Sequence, residues 1–256
     1  KAYYFNSSNM MKKSLWVDVF EARGGRTNLF LYSINLQGFE DKNGKRPYYA
    51  EYKVMPWKNV AVWNRYQKEY LTKAIKLNTH YQIVGPVWFS DTNKVYPIRN
   101  TPSISFFDVT PKRDSYLDTM TAKKTYYTRN LCSSSLNEIY KICTEIGIKL
   151  LYKNKRLYGP LDDKRFLDNV LRIKNNQNII IYDPEVSPQK LIEVSDAVIS
   201  LPFTSTGIVA QAMGKPSCYL DLSAKLNKAD AVANGIPIIQ SIHDLKIWIN
   251  ENVSRQ

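Results

Sequence analysis

The sequence predicts an α/β protein. Its second part reads as a Rossmann-like, doubly wound parallel sheet, preceded by part of a second α/β domain. Three observations carry this expectation. From Ser103 onward, short apolar runs alternate with helix-like segments. Those runs are apolar throughout, as strands covered on both faces must be. Residues 1–100 differ in character, being aromatic-rich and irregular, so the expected domains are 1–100 and 101–256.

In the first part, "KAYYFNSSN", "VDVFEA" and "NLFLYSINL" read as short strands, and "KNGKRP" as a polar turn. "NVAVWNRYQKEYLTKAIKL" carries Val62, Tyr66, Tyr70, Ala74 and Leu77 near helical spacing, which predicts a helix. "YQIVGPVW" is a strand that stops at Gly85-Pro86, and "DTNKVYPIRNTPS" reads as a linker. These elements do not complete a fold, so the sequence suggests the tail of a larger domain. The start at Lys1, with no Met and no signal-peptide pattern, suggests a fragment whose upstream part is missing.

In the second part, "SISFFDV" is a strand ending at Asp108. "SSSLNEIYKICTEIG" is a helix with Ser133–Ser135 at its start and Gly147 past its end. "IKLLYK" is the next strand, and "LDDKRFLDNVLRIKNN" a helix with acidic residues in its first turn. "NIIIYD" follows, then "SPQKLIEVS", a short helix opened by Pro188. "AVISL", the helix "STGIVAQAMG", "PSCYLD", "IPIIQ" and the helix "IHDLKIWINENV" complete the alternation. Right-handed crossovers then give a sheet of the 3-2-1-4-5-6 kind.

Charge narrows the function. Lys and Arg number 36 against 23 acidic residues, a net charge of +13. That excess favours anionic partners such as nucleic acid, acidic lipid or phosphorylated small molecules. Cys132, Cys143 and Cys218 fit neither a zinc nor a disulfide pattern, so a cytoplasmic location is expected. His80 and His243 are the only histidines, too few for a His-rich metal site. The G-x-G-x-x-G and Walker A patterns are both missing, which disfavours a nicotinamide dehydrogenase and a P-loop ATPase.

Ligands of open parallel sheets bind beyond the carboxyl ends of the strands. Thr204, Ser205, Thr206 and Gly207 fall there, at the start of a helix, where free N–H groups and hydroxyls can cradle a phosphate. Ser and Thr also cap helices routinely, with no ligand involved. Lys153, Lys155 and Arg156 follow the second strand of this part and are candidates to neutralise the same anion, or are a solvated basic loop. Asp183, Glu185 and Asp221 are candidates for nucleoside contacts, although a strand-end turn accounts for the first two equally well. Asp108 is the candidate catalytic carboxylate, although most strand-end aspartates only form turns.

The run "SDAVISLPFTSTGIVAQAMGKPSCYLD" resembles the carboxyl-terminal segment of bacterial surface-carbohydrate (capsule or O-antigen) biosynthesis proteins. "VGPVWFSD" and "ISFFDVTP" extend the resemblance over roughly residues 80–222. It implies the sugar-nucleotide-binding half of a GT-B glycosyltransferase, with residues 1–100 on the acceptor side. Related enzymes using CMP-sugars carry a His-Pro and a Ser-Ser/Thr motif on the donor phosphate. Ser205-Thr206 is similar to the second, whereas "YKNKR" stands where the first is expected, with Lys153 or Lys155 as the substitute cation.

The implied activity is metal-independent transfer of a sugar from a CMP- or UDP-sugar to a growing surface polysaccharide or lipopolysaccharide. Expected partners are that nucleotide-sugar and a glycan acceptor, with no nucleic acid. Lys, Trp and Tyr side chains would also allow peripheral contact with an anionic inner membrane, although no single amphipathic helix is legible in support. Two rivals remain: a nucleotide-sugar epimerase of the same fold, and a non-enzymatic basic binding module.

Overall fold

The computed structural model describes the chain except residues 7–11, 35–37, 49, 88–100, 120–125 and 254–256. Most of the expected linker, "DTNKVYPIRNTPS", therefore lies outside the described residues. The chain divides into two compact units. The first is Lys1–Asp91 together with Phe203–Ser205 and Leu226–Gly235; the second is Thr92–Pro202, Thr206–Lys225 and Ile236–Gln256.

The first unit contains β1 (Ala2–Asn6), α1 (Leu15–Ala22), β2 (Arg26–Phe30), β3 (Asn59–Val62), α2 (Arg65–Ala74) and β4 (His80–Ile83). The strands pair in parallel in the order β1-β2-β3-β4. Leu29, Val60 and Val62 pack on Val17, Trp57, Tyr70 and Leu71 to form its core. Asp230 holds this unit together from far along the sequence. Its buried carboxylate pairs with Arg46 at 2.8 Å and accepts the Glu40 backbone N–H at 2.6 Å.

Two sequence expectations change here. "VDVFEA" is helix α1, not a strand. Its apparent alternation is misleading, because Val17 and Glu21, four residues apart, are the ones turned inward. The single helix expected over residues 59–77 is a strand followed by a helix. Asn64 makes the break: its side chain accepts the Gln67 N–H at 2.9 Å and caps α2.

The second unit contains β5 (Ser103–Phe107), α3 (Asp114–Thr119), α4 (Arg129–Ile146), β6 (Lys149–Lys153), α5 (Lys164–Lys174) and β7 (Ile179–Tyr182). It continues with α6 (Pro188–Val194), β8 (Ala197–Ser200), α7 (Thr206–Ala212), β9 (Ser217–Leu220), β10 (Ile238–Ile239) and α8 (Ile242–Asn252). The sheet order is β7-β6-β5-β8-β9-β10, all parallel, which is the expected 3-2-1-4-5-6 arrangement. Strands β5, β8 and β9 are buried at every position, as burial on both faces requires.

Helix α4 begins earlier than Ser133. Thr128 caps it by accepting the Leu131 N–H at 3.3 Å, and Ser135 lies fully buried inside the helix. Its other end is as read: Gly147 has φ of 75°, the left-handed conformation glycine adopts without strain.

Candidate functional site

Two cavities open at the carboxyl ends of β5, β6 and β7, inside the second unit. The first, about 310 Å3, is lined by Thr110, Lys112, Lys155, Arg156, Leu157 and Asp162, among others. The second, about 390 Å3, is lined by Asn154, Leu157, Tyr158, Lys174, Tyr182 and Asp183, among others. Leu157 lines both, so the loop after β6 is their common wall.

Lys153 ends β6 and is only 4% exposed. Its ammonium donates to the Asn154 carbonyl at 3.2 Å and makes no ion pair among the described residues. Desolvation lowers its pKa, while the charges of Asp108, Glu185 and Asp183 pull the other way. Lys155 is exposed as a residue, yet its pKa is also lowered, first by desolvation and then by the like charge of Arg156. Two ammonium groups held at a cost are poised to gain from an incoming anion.

Asp108, just past β5, is 3% exposed. Tyr152 donates its hydroxyl to Oδ2 at 2.5 Å, and Oδ1 is buried without a hydrogen-bond partner among the described residues. Burial pushes the carboxyl pKa up to about 6, against the opposing influence of Tyr152, the Lys155 amide, and the charges of Lys153 and Lys155. Thr110 Oγ1 and Asn154 Oδ1 are likewise buried without partners. Lys112 is already paired, with Asp162 at 2.5 Å.

The hydroxyl turn is tied into the protein. Ser205 Oγ accepts the Ile34 N–H at 3.0 Å, within the first unit, and Thr204 is buried. Phe203 holds φ of 65° with its ring 4.9 Å from that of Phe39. In the second unit, Tyr127 donates to the Pro202 carbonyl at 2.6 Å, and the Thr206 and Ser200 hydroxyls bond at 2.7 Å. Gly207 is buried; a Cβ there would lie 3.1 Å from the Tyr219 ring.

The remaining candidates divide. Asp183 is exposed at the larger cavity, its Oδ1 accepting the Glu185 N–H at 2.8 Å in a local turn; Glu185 is exposed too. Asp221 is fully buried, accepting from Tyr126 at 2.7 Å, Ser223 at 2.5 Å and Gln240 at 2.9 Å. His80 lies in the first unit beside a cavity of about 100 Å3, with Tyr4, Arg26 and Asn28. Sequence reasoning placed Thr110 among the strand-end candidates but missed Tyr152, Asn154 and Tyr158. Tyr152 was hidden in an apolar strand, where a tyrosine reads as core; its position next to Lys153 was the available signal.

Fold and site together define a Rossmann-like α/β protein with a cation-rich, partly buried recess at its strand ends. The chain belongs to the polysaccharide biosynthesis PFTS motif family, whose model matches residues 1–249. Pro202, Phe203, Thr204 and Ser205 spell that motif. No curated protein matches the chain. Among solved structures, the wall teichoic acid polymerase TagF is 11% identical with a TM-score of 0.52, over 88% of this chain and 60% of its own. A TagF H444N structure soaked with CDPG is 11% identical with a TM-score of 0.53, over 98% of this chain and 63% of its own. TarM of S. aureus, solved with UDP, is 14% identical with a TM-score of 0.48, over 89% of this chain and 44% of its own. At such identities the TagF match is a likeness of fold, and the chain spans 44% to 63% of these neighbours' lengths.

Proposed function

We propose that this chain is the nucleotide-sugar-handling part of a GT-B glycosyltransferase. It transfers a sugar from a CMP-, CDP- or UDP-linked donor to a growing surface polysaccharide or lipopolysaccharide. Family membership supports the polysaccharide setting, and TagF, a polymerase soaked with CDPG, supports a nucleotide-linked donor in this fold.

The observation that carries the reading is Lys153, buried and without an ion-pair partner among the described residues, next to Lys155 at the strand ends. The donor phosphate sits against Lys153, Lys155 and Arg156, with the backbone at Thr206 and Gly207 lending N–H groups. The nucleoside occupies the larger cavity, between Tyr158, Tyr182 and Asp183. As the glycosidic bond to the phosphate breaks, negative charge gathers on the leaving phosphate oxygen, and the two ammonium groups stabilise it. Asp108 is too buried for an acceptor hydroxyl to reach. It acts by holding Tyr152 and by keeping the lysines charged, while the acceptor proton leaves to another base. Thr204 and Ser205 shape the turn.

Calorimetric titration with CMP, CDP, UDP and GDP tests the reading. One nucleotide should bind, and Lys155→Ala should weaken it by about tenfold to a hundredfold, the value of a lost charge-assisted contact. Equal, salt-quenched binding of all four would instead mark a general polyanion surface. Product analysis with the bound donor separates transfer from epimerisation.

A further inference from the structure

Helix α1 buries its Val17 side and presents an apolar side to solvent. Leu15 is 84% exposed, Trp16 50% and Val19 52%. At 3.6 residues per turn these three share a sector of about 100°, opposite Val17. A surface helix with apolar residues turned outward marks a contact surface. Tyr3, itself 49% exposed, widens it by packing edge-on against Trp16 at 5.6 Å.

The charges around this patch choose its partner. Exposed Lys12 precedes the helix and exposed Arg23 caps its end. The two acidic groups nearby are matched by two lysines: Lys13 pairs with Asp18 and with Glu21, both at 2.8 Å, and Lys58 lies 3.8 Å from Glu21. Lys12 and Arg23, which make no ion pair among the described residues, therefore stand at the two ends of an apolar stripe that carries a tryptophan. We propose that α1 docks on an anionic phospholipid surface, with Leu15, Trp16 and Val19 entering the acyl boundary and Lys12 and Arg23 on the headgroups. A chain with net charge +13 is drawn to such a surface from a distance. The proposal does not depend on the nucleotide reading, because it uses no residue of the second unit.

The test is co-sedimentation of the protein with phosphatidylcholine vesicles, with and without phosphatidylglycerol. Binding is expected only with phosphatidylglycerol, falling as salt rises. The double substitution Leu15→Glu and Val19→Glu should lower it at least about tenfold. Lys12→Glu with Arg23→Glu should lower it too and flatten the salt dependence. These positions are exposed, so unchanged circular dichroism and nucleotide affinity would show the variants folded. Brominated lipid should quench tryptophan fluorescence, and Trp16→Phe should abolish most of that quenching. Three results overturn the proposal. One is no binding to anionic vesicles at low salt, and another is binding indifferent to Leu15→Glu and Val19→Glu. The third is a protein dimer that this same pair of substitutions dissociates, which would assign the patch to a second copy.

Discussion

Tyr152 donates its hydroxyl to Asp108 Oδ2 at 2.5 Å, two buried groups at the ends of adjacent strands. That bond stabilises the carboxylate, yet burial outweighs it, and the Asp108 pKa rises to about 6. The folded protein therefore holds the Asp108 proton more tightly than the unfolded chain does. Its contribution to stability is greatest below about pH 4 and is lost as pH rises to about 6. The shift corresponds to ~2–3 kcal/mol.

Asp108→Asn should remove that slope. Asparagine keeps an oxygen for Tyr152 and cannot ionise. Urea denaturation of both proteins between about pH 4 and pH 7 should give a stability difference that changes in favour of the variant by ~2–3 kcal/mol across the window. A difference that stays constant with pH would mean that Asp108 is not desolvated.

Ser205→Ala separates a structural role from a ligand role. The substitution leaves the Ile34 N–H without its acceptor. We expect a loss of about 1 kcal/mol, seen as a lower melting temperature, with nucleotide affinity little changed. A large loss of nucleotide affinity at unchanged stability would restore Ser205 to the phosphate site.

These expectations mark where the sequence was readable. The second unit was legible strand by strand because its strands are predominantly apolar and bounded by turn or cap residues, from Asp108 after β5 to Gly147 before β6. The first unit was not, because its aromatic residues fit strand and helix alike. Val17 and Val19 alternate as in a strand, but they face opposite sides of α1. The lysines of the recess were legible as a run after a strand. Tyr152 and Asn154 were not, since only three-dimensional packing leaves Asp108 Oδ1 and Asn154 Oδ1 buried without partners among the described residues. The hydroxyl turn was legible as a motif, yet the sequence could not show that Ile34 already uses Ser205.

Gly207 gives the last prediction. The residue is buried, and a Cβ added there would sit 3.1 Å from two Tyr219 ring carbons and 3.2 Å from its hydroxyl oxygen. Tyr219 is 1% exposed in the middle of the sheet, so its ring has no free space to enter. The backbone at Gly207 is also held from the other side, its carbonyl accepting from Ser217 at 3.1 Å. Helix α7 and strand β9 can therefore approach this closely only with glycine between them. Gly207→Ala should be destabilising, because overpacking costs about 1–3 kcal/mol against a gain of up to about 1 kcal/mol from better helix propensity. The double variant Gly207→Ala with Tyr219→Phe should recover part of that loss, because the hydroxyl is one of the three close atoms. Thermal melting of the two variants decides it: no destabilisation by Gly207→Ala would mean the helix can lift from the sheet, and the glycine is then free for another purpose.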